Sequence, residues 1–207
     1  MSLRSDQFYT ILRSHGHSNS SSLYPLNQNE SKPFNHLAFV PLPYLCDMDK
    51  AIFLDRDGVI NHDPGDYTKS LEEFHILPTV MDALKQIQDK GFKLILITNQ
   101  GGIAKGLYTH DEVARIHGYF LDECKEHGIN ITEIYYSPHH DDYGKSLSRK
   151  PGSLMIERGL AKFQIDPSKS YMIGDKQRDC DCGEAVGVKG ILVPTNAPLI
   201  DYVDLLV

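Results

Sequence analysis

With 207 residues, the chain can form one ordinary α/β domain with a sizeable core, and it is short of what two full domains usually need. Its formal net charge of −7 and its lack of a dense Lys/Arg run argue against nucleic acid or a membrane surface as the main partner, because both attract clustered positive charge. The sequence has no apolar stretch near the roughly 20 residues of a membrane span and only four scattered cysteines, so we expect a cytoplasmic protein with a small-molecule ligand.

Residues 1–47 are rich in Ser, Asn and Pro and lack a sustained helical or alternating apolar periodicity. We therefore expect a poorly ordered N-terminal extension over 1–47 and a compact domain over 48–207 that acts as a monomer. Met48 directly precedes the first apolar run, which makes it a candidate alternative start. The intact mass of the natively expressed protein tests this hypothesis, and a mass that includes residue 1 excludes it.

Short apolar runs alternate with helical patterns from Lys50 onward, which is typical of βαβ units around a parallel sheet. The runs predicted to be strands are 51–54, 92–97, 131–136, 171–173 and 191–193. Apolar faces and the capping box of Thr109 and Glu112 predict helices over about 80–91, 109–128 and 154–163, and a short one that ends near 187. With right-handed crossovers, this order predicts a Rossmann-like, three-layer α/β/α sandwich whose ligand site lies at the carboxyl ends of the strands.

The first predicted strand runs directly into Asp55-Arg56-Asp57-Gly58. Because side chains alternate along extended chain, Asp55 and Asp57 can face the same side, and Gly58 allows a sharp backbone turn. Asp55 can attack phosphorus once a metal screens its charge, while Asp57 can protonate the leaving oxygen and later activate water. Taken alone, the motif also fits a loop with two solvated acids, since it arises by chance in about one chain in some tens.

Three further polar groups follow later predicted strands, in the order that a shared site requires. The segment from Thr98 to Gly102 offers a hydroxyl and glycine-exposed amides for phosphate oxygens. Lys150 can neutralise a phosphoryl group, and Asp175, with Asp179 four residues later, supplies a hard carboxylate ligand suited to Mg²⁺. Each group alone also fits an ordinary feature, namely a polar turn, a solvated lysine or an acidic helix N-cap. Together they predict one phosphate site.

This ordered set resembles the haloacid dehalogenase superfamily of phosphohydrolases over 50–193. The resemblance implies that Asp55 is the nucleophile, Asp57 the general acid and base, and Thr98 and Lys150 the clamps of the phosphoryl group. It also implies that Asp175 binds Mg²⁺ together with the Asp55 carboxylate and the main-chain carbonyl of Asp57. An acid at position 57 favours a phosphatase, since superfamily members with other chemistries often carry a different residue there.

Longer motifs resemble the D-glycero-D-manno-heptose 1,7-bisphosphate 7-phosphatase family and its histidinol-phosphatase relatives, and the heptose branch fits better. The motifs are FLDRDGVIN at 53–61, TNQGGIAKG at 98–106, YYSPHH at 135–140 and SRKP at 148–151. The resemblance implies that Arg149 recognises the substrate and that other residues border it: Asn61, Asp63, Tyr67, Asn99, Gln100 and Gly101. It further implies an open site without a large cap domain, and release of the 7-phosphate on the way to an activated heptose for cell-surface polysaccharide.

The sequence departs from this family at the family's structural zinc site. The family pattern is Cys-x-His followed by Cys-x-Cys, and the matching positions here are Ser137, His139, Ser146 and Ser148. A hydroxyl is a poor zinc ligand compared with a thiolate, so we expect no structural zinc. Cys180 and Cys182 lie beyond that loop and are expected to pack in the core, and His139 and His140 are expected to be a surface pair.

Two alternatives to a heptose bisphosphatase remain open from the sequence. The same residues would serve histidinol phosphate or another sugar phosphate, because specificity lies outside the core motif. A phosphate-sensing binding module would keep the metal site without turnover. Asp57 favours the enzyme, because a binding module has no need of a positioned acid.

Overall fold

The computed structural model describes residues 48–207, so the predicted extension over 1–47 lies outside the described residues. The strands are β1 Lys50–Leu54, β2 Phe92–Asn99, β3 Ile131–Ser137, β4 Tyr171–Gly174 and β5 Lys189–Leu192. The α-helices of the described chain are α1 Val80–Asp89, α2 His110–Glu126, α3 Leu154–Phe163 and α4 Gln177–Glu184. Short 3₁₀ helices lie at Leu71–Glu73, Asp141–Tyr143, Pro167–Lys169 and Leu199–Leu205.

The strands form one parallel sheet with the order β3-β2-β1-β4-β5. Side chains of the central strand alternate between two apolar layers, as extended chain requires. Ile52 and Leu54 join the core that contains the buried faces of α1 and α2, whereas Ala51 and Phe53 join the core that contains residues of α3 and α4. The predicted three-layer α/β/α sandwich is confirmed.

The apolar pattern of the sequence does not locate the start of the fifth strand. The sequence predicts 191–193, but β5 begins at Lys189, which pairs with Tyr171 of β4. Lys189 is exposed, so backbone pairing and not side-chain burial holds the polar beginning of this edge strand. The sequence therefore shows no apolar residue at position 189 that would mark the start of the strand.

The capping box predicted at the start of α2 is present. Thr109 Oγ1 accepts from the Glu112 amide at 3.3 Å, and the Glu112 carboxylate accepts from the Thr109 amide at 2.6 Å. The two contacts satisfy donors that a helix start otherwise leaves unpaired.

The carboxyl edge of the sheet is not covered by a further domain among the described residues. The connections after β1 and β3 consist of loops with single 3₁₀ turns, in agreement with the expectation of an open site. Within 48–207, no helix has both the length and the apolar character needed to cross a membrane.

Candidate active site

The polar segments predicted from the sequence meet at the carboxyl edge of the sheet. Asp55 follows β1, Thr98 lies near the end of β2 and Asp175 follows β4. The Asp55 amide donates to the Ile173 carbonyl at 2.9 Å, which extends the β1–β4 pairing to the site. Gly58 then turns the backbone at φ 85°, where a Cβ would lie 2.6 Å from Asp175 Oδ2. The predicted sharp turn therefore requires glycine.

Three buried carboxylates form the centre of the site. Asp55, Asp175 and Asp179 each offer a carboxylate oxygen, and these oxygens lie within 4.8 Å of one another. Lys150 Nζ lies 2.7 Å from Asp55 Oδ1 and 2.8 Å from Asp179 Oδ1, and it donates to the Ile97 carbonyl at 2.9 Å. An ammonium has three donors, so all of them face protein acceptors here.

Negative charge exceeds positive charge in the acidic cluster formed by Asp55, Asp175 and Asp179. Besides Lys150, the cluster meets Lys176 at its outer edge, where Nζ lies 2.8 Å from Asp175 Oδ2. Burial raises the pKa of Asp55 to about 7, with Lys150 opposing the shift and Asp179 adding to it. Burial alone would lower the pKa of Lys150, but Asp55 and Asp179 more than offset this and raise it. Hard oxygen ligands that are short of positive charge fit Mg²⁺.

The Asp57 carboxylate is held apart from the acidic cluster by its own donors. Its Oδ1 accepts from Arg56 Nη2 at 2.9 Å and from Asn61 Nδ2 at 3.0 Å, and its Oδ2 accepts from Gln100 Nε2 at 3.0 Å. Burial opposes ionisation, but Arg56 and the two amides more than offset it and hold the pKa of Asp57 below its usual value. Since each carboxylate oxygen accepts about two hydrogen bonds, Oδ2 has one position left for proton transfer.

A cleft of about 400 Å³ opens beside Asp57. The predicted substrate residues that line it are Asp63, Tyr67, Asn99, Gln100, Gly101 and Arg149. Lys176 and Arg178, which had no predicted substrate role, line it as well. His140, predicted to be a plain surface residue, also contributes to the wall. The cleft therefore combines the acid Asp57 with a basic rim of Arg149, Lys176 and Arg178, beside two further acids, Asp63 and Asp66.

Two predicted substrate residues have supporting positions in the structure. Asn61 is fully buried, and its amide donates to Asp57 Oδ1 and, at 3.3 Å, to Thr68 Oγ1, so it orients Asp57 instead of bordering the cleft. The Asn99 amide accepts from the Lys150 backbone nitrogen at 3.0 Å and donates to the Lys150 carbonyl at 3.1 Å. Asn99 therefore ties the loop that carries Lys150 to the end of β2.

Similarity to known proteins agrees with this geometry. Residues 147–198, which include Lys150, Asp175 and Asp179, match the HAD-hydrolase-like family model. A D-glycero-D-manno-heptose-1,7-bisphosphate 7-phosphatase of Chlorobaculum tepidum is 38% identical over 158 residues, which cover 71% of this chain and 79% of the relative. The chain belongs to this heptose bisphosphate phosphatase family.

Relatives named for both anomers occur among the matches. A D-glycero-beta-D-manno-heptose-1,7-bisphosphate 7-phosphatase of Haemophilus ducreyi is 40% identical over 156 residues, covering 71% of this chain and 84% of the relative. The corresponding alpha enzyme of Photorhabdus laumondii is 38% identical over 156 residues, covering 72% and 85%. The family therefore includes enzymes named for each anomer.

Solved structures of the heptose bisphosphate phosphatase family have the same fold. The D,D-heptose 1,7-bisphosphate phosphatase from B. bronchiseptica, complexed with magnesium and phosphate, matches with a TM-score of 0.67 and 29% identity over 75% of this chain and 86% of that chain. The enzyme from Burkholderia thailandensis matches with a TM-score of 0.53 and 27% identity over 70% and 79%. The predicted haloacid dehalogenase fold and phosphoric monoester hydrolase class are confirmed.

Serine hydroxyls hydrogen-bond to one another at positions matching the family's predicted zinc ligands. Ser148 Oγ lies 3.0 Å from both Ser137 Oγ and Ser146 Oγ. Arg149 fastens the same loop, since Nη1 donates to the His139 carbonyl at 3.0 Å and Nε donates to Asp141 Oδ2 at 3.1 Å. Hydrogen bonds and an ion pair therefore connect these loop residues to one another.

We predict that the purified protein holds no stoichiometric zinc and is folded and active with Mg²⁺ alone. Structural zinc contributes folding free energy where four thiolate or imidazole ligands close a tetrahedron, and His139 is the single such ligand that the four matching positions retain. Elemental analysis, paired with activity after chelation and re-addition of Mg²⁺, measures this. One zinc per chain, or activity restored by zinc and not by Mg²⁺, would contradict the prediction.

Several groups that complete the site are not among the site residues predicted from the sequence. Asp179 is not a predicted metal ligand, although its carboxylate joins those of Asp55 and Asp175. Arg56 lies inside the strongest motif, yet its contact with His117 joins residues 61 positions apart, which no local pattern shows. Cys180 and Cys182 are buried as free thiols on α4, which agrees with their predicted packing role.

Proposed function

We propose that this protein is a Mg²⁺-dependent phosphatase that removes the 7-phosphate from D-glycero-D-manno-heptose 1,7-bisphosphate through an aspartyl-phosphate on Asp55. The observation that carries the proposal is the separation of two acidic functions. Asp55, Asp175 and Asp179 share a site fit for a divalent cation, while Asp57 stands beside the cleft with its own donors. A site that only bound phosphate would need no such second acid.

In the proposed reaction, a carboxylate oxygen of Asp55 attacks phosphorus as the bond from phosphorus to the sugar oxygen breaks. The electron pair of that bond goes to the sugar oxygen, which takes a proton from Asp57. Asp57 then takes a proton from water, which attacks the phosphorus and breaks its bond to Asp55. Phosphate leaves, Asp55 is again a carboxylate, and Asp57 again holds a proton, as it did when it entered the reaction.

The protein groups fit these steps at named atoms. Asp55 Oδ1 accepts from the Arg56 amide at 2.7 Å and meets Lys150, which leaves Oδ2 for attack. A bound Mg²⁺, held by the acidic cluster and the proposed Asp57 main-chain carbonyl, would screen the charge of Asp55 and of the phosphoryl oxygens. Asp57 is ionised in the free enzyme, and the negative charge of a phosphate ester beside it favours uptake of the proton that it later donates.

The basic rim of the cleft supports a substrate with a second phosphate. Arg149, Lys176 and Arg178 line the cleft beside Asp57. Lys176 is engaged by Asp175 and Asp63, whereas the exposed Arg178 has no ion-pair or hydrogen-bond partner among the described residues, so its guanidinium is available to an anion. A bisphosphate would place one phosphate at the acidic cluster and its other phosphate on this rim.

A comparison of kcat/KM across phosphate esters, with and without Mg²⁺, tests the proposed function. The panel contains both anomers of heptose 1,7-bisphosphate, histidinol phosphate and sugar monophosphates. We expect the highest value for a heptose bisphosphate and no turnover without the cation. A higher kcat/KM for histidinol phosphate would assign histidinol phosphate as the substrate, and phosphate binding without any turnover would indicate a binding module.

Arg149 and Lys150 are adjacent, but we predict different effects for their alanine variants. Lys150→Ala is expected to impair every ester, because it removes the cation paired with Asp55 and Asp179. Arg149→Ala is expected to raise KM for the bisphosphate and to spare small generic esters, as loss of uniform substrate binding does.

The kinetics of both variants on a bisphosphate and on a small ester measure this difference. Arg158→Ala is the matched control, since this arginine lies over the Tyr135 ring, away from the residues that line the cleft. Its kinetics should equal those of the unmodified protein. Equal losses on both substrates for Arg149→Ala and Lys150→Ala would contradict the separate roles.

A further inference from the structure

A buried guanidinium stands between Asp57 and helix α2. The Arg56 side chain is 1% exposed although it lies next to the proposed nucleophile. Its Nη2 donates to Asp57 Oδ1 at 2.9 Å, and its Nη1 lies 3.4 Å from His117 Nε2. The Nε atom has no hydrogen-bond partner among the described residues. The guanidinium carbon also lies over the Phe74 ring, 5.8 Å from its centroid, and the two Nη contacts are the directional hydrogen bonds of the group.

His117 meets Arg56 as an acceptor. A guanidinium has only donors, so Nε2 of His117 must be the unprotonated nitrogen in this contact. Burial, together with Arg56 and against an opposing effect of Asp57, lowers the pKa of His117 to about 3, so the ring is neutral near pH 7. His117 is itself buried on α2, and its ring packs edge-on against Tyr136 with centroids 5.8 Å apart.

The arrangement has a directional consequence at Asp57. Arg56 and Asn61 occupy Oδ1, and Gln100 occupies one position of Oδ2. The orientation of the remaining Oδ2 position therefore depends on where the guanidinium plane is held. A rotation of that plane would turn the carboxylate, and a misplacement near 1 Å can cost about 10²-fold in rate.

We propose that His117 is a positioning residue, which fixes the Arg56 guanidinium and through it the Asp57 carboxylate for proton transfer to the leaving group. This inference rests on the proposed phosphatase mechanism. It gives a role to a buried histidine that touches neither the acidic cluster nor the cleft wall.

Two amide variants provide a matched test. The Gln side chain can place an amide atom near the position of Nε2, whereas Asn is one methylene shorter and reaches no further than the position of Nδ1. We expect His117→Gln to keep kcat/KM within a few-fold of the unmodified protein. We expect His117→Asn to lower kcat/KM for an alkyl phosphate such as the heptose bisphosphate by about 10- to 100-fold.

The dependence on the leaving group separates positioning from a general structural defect. p-Nitrophenyl phosphate releases a stable phenolate and needs little help from an acid, so its kcat/KM should change little in His117→Asn. Asp57→Asn should show the same pattern with a larger loss on the alkyl ester. Equal losses of His117→Asn on both esters, or no loss on either, would overturn the proposal.

Separate control experiments test whether each variant folds and whether the proposed function itself holds. Thermal unfolding checks that each variant is folded. If His117→Asn fails to fold, Arg56→Lys is measured on the same two esters. A lysine ammonium cannot replace the guanidinium, which contacts Asp57 and His117 at the same time. The same preference for p-nitrophenyl phosphate is then expected, and its absence overturns the proposal. Failure of the unmodified protein to hydrolyse any alkyl phosphate would instead reject the proposed function itself.

Discussion

Replacing Asp55 with Asn is expected to abolish turnover of every phosphate ester. An amide is a far weaker nucleophile than a carboxylate, and no other described carboxylate occupies the same position between the Arg56 amide and Lys150. Phosphate release by Asp55→Asn should fall to the uncatalysed background. The unmodified protein, quenched in acid during turnover, should carry one phosphoryl group on the peptide that contains Asp55.

The Asp55 variant needs a control for the integrity of the site. Asn keeps the side-chain shape and an oxygen for Lys150, so its melting temperature should remain close to that of the unmodified protein. Wild-type turnover by folded Asp55→Asn, or a phosphoryl group on a different residue, would reject the covalent mechanism.

Asp57→Asn is expected to lower kcat by about 10²–10⁴-fold, which is the contribution typical of general acid catalysis. The amide can still offer an oxygen to Arg56 and Asn61, but its nitrogen then faces Gln100 Nε2, a second donor, and carries no transferable proton. Steady-state kinetics on the heptose bisphosphate measure the loss.

The affinity for Mg²⁺ distinguishes loss of the acid from damage to the metal site. The Asp57 carboxylate lies outside the cluster of Asp55, Asp175 and Asp179, so Asp57→Asn should bind Mg²⁺ nearly as the unmodified protein does. An unchanged kcat would contradict the acid role, and a large loss of Mg²⁺ affinity would show that the carboxylate itself serves the metal.

The architecture could be predicted from the sequence because each central element carries a strong local signal. Buried strands appear as short apolar runs, and the Thr109 capping box marks the start of α2. The chemistry of Asp55, Asp57 and Asp175 follows from their positions after strands, because the carboxyl ends of parallel strands share one edge. Lys189 lacked such a signal, and the predicted start of β5 was wrong by two residues.

The supporting contacts could not be predicted, because they depend on side chains that meet across the fold. Asn61 stands in the motif and was predicted to border the substrate, but complete burial places it behind Asp57. An arginine is usually exposed, so nothing local indicates that Arg56 is buried between Asp57 and His117. Motifs therefore predict which residues share the site, while tertiary packing decides which of them touch the substrate.

Phosphorus-31 NMR of the protein with Mg²⁺ and D-glycero-D-manno-heptose 1,7-bisphosphate shows directly which phosphate the protein removes. We expect the signal of the phosphate on carbon 7 to disappear and that of inorganic phosphate to grow, while the anomeric phosphate signal persists. Chelation of Mg²⁺ should stop the change. Loss of the anomeric phosphate first, or no Mg²⁺-dependent release of either phosphate, would reject a Mg²⁺-dependent 7-phosphatase.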